Sequence, residues 1–512
     1  MARTDEFTKR NKRFFEITEE GISEATIDRE FDIAKTRFPV VYGDEQAAKP
    51  GTLPHLKSLM YAFDMIRARN PNLVEPTMFL GAWEIEREAI SMISSLFNHP
   101  NYSNPNYDPQ KDPVFGWFTD GGTGSILQAG WAFRNKFFRD LEERLDPNFD
   151  RTTQKGIFRE EGYCGSIVKG IIDPKQPPVI LAPTDLHFAG DKVADVMGIG
   201  SSNIIRYGIN KDSSTDYKSL EHTLKKLSLE GRKVMFAFAT AGSVDTGRVE
   251  DVSKLAKTLQ TVDYNIPIIV DAAQQYMMLS LLQDKYPTWD FREECVSAIV
   301  ADPHKTDAST YPGSVIIFKN KNMVFETQNE TGYLHLDDVL DYDMKQVWNL
   351  MPQFPTSRSP IGAISTWAYL SLLGKSKLTD KYTEMLDLTK VLADYIKKSP
   401  HFELITEPQT GIVSFHTNDF NDENASRIYQ KFEGCTEHPR FYISRADCIR
   451  AKSLEDYAAY TKEKNENGGK RVNGFGGLYI QIMNHMTPKL MNQLIDRLDL
   501  FGYEIMRMKR CA

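Results

Sequence analysis

The chain has few cysteines, no long hydrophobic run and no excess of basic residues. Its five cysteines are scattered without a Cys-x-x-Cys pair or a Cys/His cluster, which argues against a disulfide framework and against structural zinc. No stretch is apolar enough to predict a membrane-spanning helix, and residues 1–20 are too rich in charge for a signal peptide. We therefore expect a cytoplasmic protein with no membrane partner and no bound metal.

Acidic residues outnumber basic ones by 70 to 62, and the formal net charge is −8. A chain with this charge has no general attraction to phosphate backbones, so we expect no nucleic-acid partner. Hydrophobic residues make up 41% of the 512 positions and charged residues 26%, which is ordinary for a globular protein. The chain is therefore long enough and apolar enough to bury a large core.

Short apolar runs alternate with amphipathic stretches between residues 113 and 320. This alternation is typical of a mainly parallel sheet covered by helices, an α/β fold. The helix after the first run is the clearest, because Ile126, Ala129 and Phe133 recur at spacings of three and four. The runs that we predict as strands are 114–118, 179–182, 203–206, 234–239, 267–270, 298–300 and 314–318.

The pattern changes beyond residue 375. A long helical stretch at 378–398 precedes short strand-like runs near 402–406, 411–415, 441–444 and 478–483. We therefore predict three parts: an N-terminal helical segment (1–75), a large cofactor-binding domain (76–375) and a smaller C-terminal α+β domain (376–512).

Four chemically distinctive segments each follow a predicted strand. Thr-Asp-Gly-Gly-Thr-Gly-Ser at 119–125 starts a predicted helix, where backbone N–H groups and hydroxyls can cradle a phosphate. His187 can stack on a planar ring, and Asp271 would need a cationic partner if it is buried. Lys305, in Asp-Pro-His-Lys between the last two strands, would need an acid or a covalent partner.

Each segment also has an ordinary structural interpretation. A glycine-rich turn can simply cap a helix, a loop histidine or lysine is often only solvated, and an aspartate after a strand is often a helix N-cap. Their order favours a shared function, since the carboxyl ends of parallel strands meet at one edge of a sheet. Together they supply the parts that pyridoxal 5′-phosphate (PLP) requires: a phosphate cradle, a ring-stacking group, a partner for the pyridine nitrogen and a lysine.

The sequence resembles the group II PLP-dependent amino-acid decarboxylases over roughly residues 75 to 375. The matching pieces are Thr-x-Gly-Gly-Thr-x-Ser at 119–125, His-Phe-x-x-x-Lys at 187–192, Thr-Ala-Gly-Ser-Val-Asp-Thr-Gly at 240–247, Asp-Ala-Ala at 271–273 and Asp-Pro-His-Lys at 302–305. The last piece, followed by Tyr-Pro-x-Ser, is most similar to microbial tyrosine decarboxylases. The resemblance implies a large domain of PLP fold type I (aspartate-aminotransferase-like), an L-amino-acid substrate and a homodimer.

The resemblance also implies roles for individual residues. Lys305 would form a Schiff base with the cofactor, Asp271 would hold the pyridine nitrogen protonated, and His187 would stack on the ring. Tyr333 would lie on a mobile loop and protonate the substrate Cα, and Arg358 would order the site. The other residues that would contact the cofactor are Gly122, Thr123, Thr240, Ala273 and His304.

Several positions depart from the family pattern. Ala189 and Thr306 replace a usual serine and a common Trp or Met, and Gln274-Gln275 replaces a frequent Tyr/Trp-Gly-Gly. Because these residues would line the cleft, the substrate stays open, with an aromatic amino acid such as tyrosine favoured. The alternatives are a PLP-dependent carbon–carbon lyase or a decarboxylation-dependent amine oxidase, which would use the same four segments, an aminotransferase, and a non-enzymatic protein that keeps the PLP fold.

Overall fold

The structure is a computed structural model of the chain. It describes residues 55–327, 353–445 and 477–508 and the single positions 25 and 28, apart from short gaps at 76–77, 110, 151–152, 211, 263–265, 308, 436 and 438. The chain divides into two units, residues 1–44 and residues 45–512, and all elements named below belong to the second. Within the described residues, no helix is long and apolar enough to cross a membrane.

The second unit alternates helices and strands along most of its length. Its described α-helices are α1 Leu56–Arg69, α2 Leu80–Leu96, α3 Gly122–Leu145, α4 Ile157–Val168, α5 Ala189–Val196, α6 Tyr217–Leu229, α7 Val252–Leu259, α8 Tyr276–Leu281, α9 Pro303–Thr306, α10 Val324–Thr327, α11 Ile361–Lys398, α12 Asp422–Gly434 and α13 Pro488–Met508. Its described strands are β1 Gly116–Thr119, β2 Val179–Pro183, β3 Ile204–Tyr207, β4 Val234–Thr240, β5 Ile268–Asp271, β6 Val296–Ala301, β7 Ser314–Phe318, β8 Phe402–Leu404, β9 Ile412–Thr417, β10 Ser444–Arg445 and β11 Leu478–Gln481.

The large sheet has seven strands in the order β1-β7-β6-β5-β4-β2-β3. The four pairings among β6, β5, β4, β2 and β3 are parallel. Strand β7 runs antiparallel to both of its neighbours, β6 and β1. As a result, six strands point the same way and their carboxyl ends lie along one edge of the sheet.

The central strands are buried along their whole length. All residues of β4 and β5 are buried, as expected for parallel strands that carry helices on the sheet faces. Helix α3 contributes Phe133 to one face, where its ring lies 6.3 Å from that of Phe236 and 6.2 Å from that of Phe318. The apolar spacing that predicted this helix therefore identifies the side that packs on the sheet.

A second, smaller sheet follows in the C-terminal part, with the order β10-β11-β9-β8 and antiparallel pairings throughout. Helix α11 leads into it and is kinked at Gly374, whose φ of 67° and ψ of 167° are not helical. The predicted boundary between residues 375 and 376 lies beside this kink, and the three predicted parts stay predictions.

The predicted α/β fold with a mainly parallel sheet is confirmed. All seven predicted strand runs of the large sheet overlap an observed strand, with ends that differ by up to two residues. The predicted helix at 378–398 is the second half of α11, which begins at Ile361. The first half was missed because Gly374 interrupts the helical pattern on which the prediction depended.

Helix α11 packs so closely on the loop after Lys305 that Gly362 has no room for a side chain. A Cβ there would lie 1.9 Å from the carbonyl oxygen of Pro312 and 2.5 Å from Cα of Gly313. We expect Gly362→Ala to lower the free energy of unfolding by about 1–3 kcal/mol through overpacking. Urea denaturation followed by circular dichroism measures the change.

Gly81 provides the matched control, because it lies in helix α2 and no atom stands within 4 Å of its missing Cβ. Gly81→Ala should stabilise the protein by about 0.5–1 kcal/mol, since alanine loses less backbone entropy than glycine in a helix. Equal effects of the two substitutions would contradict the packing argument.

Candidate active site

A cavity of about 250 Å³ lies at the edge where the parallel strands end. Most of the predicted site residues line it: Gly122, Thr123, His187, Thr240, Asp271, Ala273, His304 and Lys305. Its wall also includes residues to which no role was assigned from the sequence: Ile126, Asp185, Gly242, Ser243, Val244, Gln274, Asp302 and Tyr311. The structure thus brings the four predicted segments together at one place.

Lys305 lies on the short helix α9, and its amine is paired with Asp302. The Lys305 Nζ is 2.8 Å from Asp302 Oδ2, and His304 Nε2 is 3.7 Å from the same oxygen. Burial disfavours both charges, but the attraction between them lowers the pKa of Asp302 and raises the pKa of Lys305. The interpretation of Lys305 as a solvated surface lysine is therefore wrong, since its side chain is only 21% exposed.

Asp271 is the last residue of β5 and lies in the cavity wall. Its Oδ1 accepts a hydrogen bond of 3.2 Å from the backbone N–H of Ala273. Burial raises the pKa of this carboxyl to about 6, although Lys305 acts in the opposite direction. The N-cap interpretation is wrong, because the next helix, α8, has Gln275 as its N-cap and no side-chain capping bond.

His187 lies between β2 and α5, and its ring is neutral. Burial and the nearby charge of Lys305 lower its pKa to about 4. Its Nδ1 accepts a 3.2 Å hydrogen bond from the backbone N–H of Ala189, which fixes the orientation of the ring and leaves the proton on Nε2. A neutral, oriented imidazole in this wall can stack on a planar ring.

The glycine-rich segment connects β1 to the first turn of α3. Hydrogen bonds between hydroxyl groups hold it on the side away from the cavity. Thr119 Oγ1 lies 2.7 Å from Ser125 Oγ, and Ser125 Oγ lies 2.8 Å from Ser314 Oγ. Ser314 in turn donates to the backbone carbonyl of Ala301 over 3.2 Å. Ser125 is fully buried in this chain of hydroxyls, so it holds the loop in shape.

Gly122 is where this loop comes closest to the lysine turn. A Cβ on Gly122 would lie 2.7 Å from Asp302 Oδ2, a separation that real side chains do not adopt. The free N–H groups of the first turn of α3 point towards the same region, where they favour an anion. Glycine at this position therefore allows an anion-binding helix end and the lysine turn to share one cavity.

Arg358 lies behind the glycine-rich loop and does not line the cavity. It forms a buried ion pair with Glu86, and its Nη1 also donates to the backbone carbonyl of Phe118 over 2.9 Å. Glu86 Oε1 accepts from the N–H of Phe118, also at 2.9 Å. The ion pair thus binds both the N–H and the carbonyl of Phe118. These two groups face the edge of strand β1 that pairs with no other described strand.

A second buried ion pair was missed by sequence reasoning. Asp185, in the cavity wall, accepts two hydrogen bonds of 2.8 Å from Arg248, whose side chain is 1% exposed. Arg248 is also 3.8 Å from Glu250, which is fully buried. The only sequence signal was the presence of charged residues in an otherwise buried stretch, which is too weak to identify the pairing. Tyr333, the remaining predicted site residue, lies outside the described residues.

Comparison with known proteins identifies the family. The model of the pyridoxal-dependent decarboxylase conserved domain matches residues 170–418, which include Lys305 and Asp271. A probable L-tyrosine/L-aspartate decarboxylase of Methanosarcina acetivorans is 24% identical over 454 residues, or 88% of this chain and 99% of the relative. The chain belongs to the group II family of PLP-dependent decarboxylases. As a member of this family it is a PLP-dependent amino-acid decarboxylase.

Solved structures support the fold of this decarboxylase. The structure of Oryza sativa TDC with PLP and tryptamine has a TM-score of 0.73 and 14% identity, and the match covers 98% of this chain and 91% of that one. A sphingosine-1-phosphate lyase of Burkholderia pseudomallei has a TM-score of 0.67 and 16% identity, with coverage of 97% and 94%. These similarities confirm the predicted fold type I.

The residues of the decarboxylase cavity fit PLP. The N-terminus of α3 suits the phosphate group, the carboxyl of Asp271 suits a pyridinium N–H, and the amine of Lys305 suits the aldehyde. Four buried polar atoms of cavity-lining residues have no hydrogen-bond partner among the described residues: Thr240 Oγ1, Gln274 Oε1, Asp302 Oδ1 and His304 Nδ1. A polar cofactor can satisfy such atoms, which otherwise cost free energy.

The raised pKa of Asp271 predicts a pH-dependent stability of the cofactor-free decarboxylase. A carboxyl whose pKa is near 6 when folded and 3.8 when unfolded stabilises the fold below pH 3.8, and this contribution is lost as the pH rises through 6. Relative to Asp271→Asn, the wild type should therefore lose about 2 kcal/mol of unfolding free energy between pH 4 and pH 7. Chemical denaturation of both proteins at the two pH values measures this. A constant difference between them would show that burial does not raise this pKa.

Proposed function

We propose that the enzyme removes the α-carboxylate of an aromatic L-amino acid, with L-tyrosine favoured, to give the amine and CO₂. The observation that carries the reaction type is the Lys305–Asp302 pair, held in one cavity with Asp271 and His187. The choice of an aromatic substrate rests on the charge and shape of the wall, together with the resemblance to tyrosine decarboxylases.

The charge of the cavity wall favours a neutral substrate side chain. Among the described lining residues, Lys305 is the only Lys or Arg, whereas Asp185, Asp271 and Asp302 are all acidic. The nearest candidate for binding a second carboxylate, Arg248, is already engaged by Asp185. Because Lys305 is paired with Asp302 and Arg248 with Asp185, the side-chain carboxylate of an acidic amino acid would find no free cation among these residues.

The wall also offers an aromatic surface. The ring of Tyr311 lies 4.0 Å from that of His304 and is inclined to it by 31°. The side chain of Tyr311 is 55% exposed at the cavity, and Ile126 and Val244 add apolar area. An aromatic substrate ring can pack against such a surface and gains from the removal of apolar area from water.

Bound PLP supplies an electron sink for the charge that remains at Cα when CO₂ leaves. Lys305 would hold the cofactor through its amine and would give way to the amine of the substrate. Asp271, in ionised form, would stabilise positive charge on the ring nitrogen, and neutral His187 would stack on the ring. Asp302 holds the Lys305 amine in place within the cavity.

We extend the proposal to Tyr333, which lies outside the described residues, and to Arg358, which does not line the cavity. Tyr333 donates the proton to Cα, as the resemblance implies. Arg358 orders the site from outside, because its pair with Glu86 fixes the backbone of Phe118 and with it the start of the glycine-rich loop. A shift of that loop would displace the phosphate of the cofactor.

A substrate panel tests the proposal. The purified protein is incubated with PLP and separately with L-tyrosine, L-phenylalanine, L-tryptophan, L-aspartate and L-glutamate, and amine and CO₂ are quantified by mass spectrometry. We expect kcat/KM for tyrosine to exceed that for aspartate at least tenfold, which corresponds to about 1.4 kcal/mol of transition-state binding. Lys305→Ala should form no amine, and borohydride should label Lys305 in the wild type.

Two results would decide against parts of the proposal. If β-alanine forms from aspartate faster than tyramine forms from tyrosine, the substrate is aspartate and not an aromatic amino acid. Aldehyde and hydrogen peroxide in place of amine would indicate the oxidase chemistry that the sequence left open.

We also infer that the enzyme works as a cytoplasmic homodimer. The three described cysteines are free thiols, which suits a reducing compartment.

Helix α1 packs on α11 through one face, with Ser58 and Ala62 buried. Its opposite face exposes the apolar stripe Leu56, Met60 and Phe63, spaced by four and three residues. A second copy of the chain is the partner that we propose for this stripe.

Charge placed in the stripe should separate the subunits. We expect the double variant Met60→Glu, Phe63→Glu to be monomeric in light scattering at concentrations where the wild type is dimeric, because a dimer would bury both carboxylates without partners. Leu229→Glu is the matched control, since Leu229 is 90% exposed at the end of α6, away from the stripe. A double variant that stays dimeric would show that the interface lies elsewhere.

A further inference from the structure

The Lys305 turn is followed by a buried carboxylate that the reaction described above does not use. Asp307 is 0% exposed and lies two residues beyond Lys305. One of its oxygens accepts a hydrogen bond from the hydroxyl of Tyr276 and the other from the hydroxyl of Tyr382. The hydroxyl of Thr306 lies 3.3 Å from the second oxygen. All three donors are themselves 0% exposed.

The three donors come from different parts of the chain. Tyr276 lies on α8, immediately after the segment of Asp271, and Tyr382 lies on α11 beyond its kink at Gly374. Thr306 belongs to the lysine turn itself and also donates to the backbone carbonyl of Gln274 over 3.2 Å. Asp307 therefore joins the lysine turn to the segment that follows β5 and to the long helix.

A second contact fixes the same turn from the C-terminal sheet. Asn484, just after β11, donates to the backbone carbonyl of Thr306 over 3.0 Å and lies 3.2 Å from the hydroxyl of Tyr369 on α11. On the other side of the turn, the N–H of Asp302 donates to the carbonyl of Ala273 over 3.1 Å. The backbone around Lys305 is thus held at both ends, and Asp307 is the charged member of this framework.

The hydroxyl donors of the cluster favour the ionised form of Asp307, whereas its burial disfavours that form. Burial and the proximity of Asp307 raise the pKa of both Tyr276 and Tyr382 well above the ordinary value, so both phenols stay protonated and donate. Burial raises the pKa of Asp307 to about 7, while the three hydroxyl donors lower it. The carboxylate form accepts from both phenol hydroxyls at once, whereas the protonated form carries a proton on one oxygen and leaves one phenol with a weaker acceptor.

We propose that Asp307 is a positioning residue, whose hydrogen bonds from Tyr276 and Tyr382 hold the turn that places the Lys305 amine in the cavity. It is not among the residues that line the cavity. The titratable groups that surround it are Tyr276, Tyr369 and Tyr382, with Lys305 two residues away. Two further groups lie on the same elements, Lys381 beside Tyr382 and His485 beside Asn484.

The test uses Asp307→Asn in the PLP-loaded enzyme, since asparagine keeps the size of the side chain and removes its charge. The first readout is the pH midpoint of the visible absorption band of the lysine-bound cofactor. We expect this midpoint to fall by at least half a pH unit, because a negative charge near Lys305 is lost and the turn is less firmly held. With the best substrate of the panel, kcat should fall at least tenfold while KM changes less than threefold.

Asp290→Asn is the matched control. Asp290 is also 0% exposed and accepts a 2.7 Å hydrogen bond from Asn98, but it lies before β6, at the strand end opposite to the cavity. We expect it to lower thermal stability without moving the absorption midpoint. A shift of the midpoint in Asp290→Asn equal to that in Asp307→Asn would overturn the proposal, as would an unchanged midpoint and kcat in Asp307→Asn.

Tyr382→Phe keeps the proposal testable if Asp307→Asn does not fold. This variant retains the carboxylate and removes one of its donors, so we expect a smaller shift of the midpoint in the same experiment and a partial loss of kcat. An unchanged midpoint and kcat in Tyr382→Phe would overturn the role of the cluster. Because the absorption readout needs no substrate, failure of the tyrosine assignment would leave this test intact.

Discussion

The common direction of the parallel strands is the constraint on which the site depends. The residues that follow β2, β4, β5 and β6 reach one cavity because the carboxyl ends of these strands lie at one edge of the sheet. Strand β1 adds the glycine-rich loop to the same edge, since two reversals of direction around β7 leave it parallel to the others. Changes in loop sequence can therefore alter the chemistry while the sheet keeps the groups together.

Buried ion pairs are the second organising feature. Lys305 is paired with Asp302, Arg358 with Glu86, and Arg248 with Asp185 and Glu250. Breaking such a pair by removing one partner costs about 3–5 kcal/mol, because the other charge stays buried. These pairs therefore keep the walls of the cavity in a single arrangement. The reaction needs this, because its rate depends on how the reacting groups are oriented.

The sequence allowed the sheet and the cofactor segments to be predicted, because both depend on local patterns. Apolar runs located the seven strands, and the order of the segments placed Lys305, Asp271 and His187 at one edge. The pairings of Arg358 with Glu86 and of Asp307 with Tyr382 could not be predicted. Their partners are separated by 272 and 75 residues, and only the packing of helices brings them together.

The position of β1 in the sheet has a consequence for synthesis. Within the described sheet, β1 pairs only with β7, whose last residue is Phe318, and the hydroxyl chain behind the glycine-rich loop needs Ser314. The loop that receives phosphate is thus made roughly 200 residues before its supports, and closing so long a segment has an entropic cost and is slow. A nascent chain on the ribosome cannot complete the cofactor site until β7 has emerged. PLP can therefore bind only late in synthesis, after the whole sheet has formed.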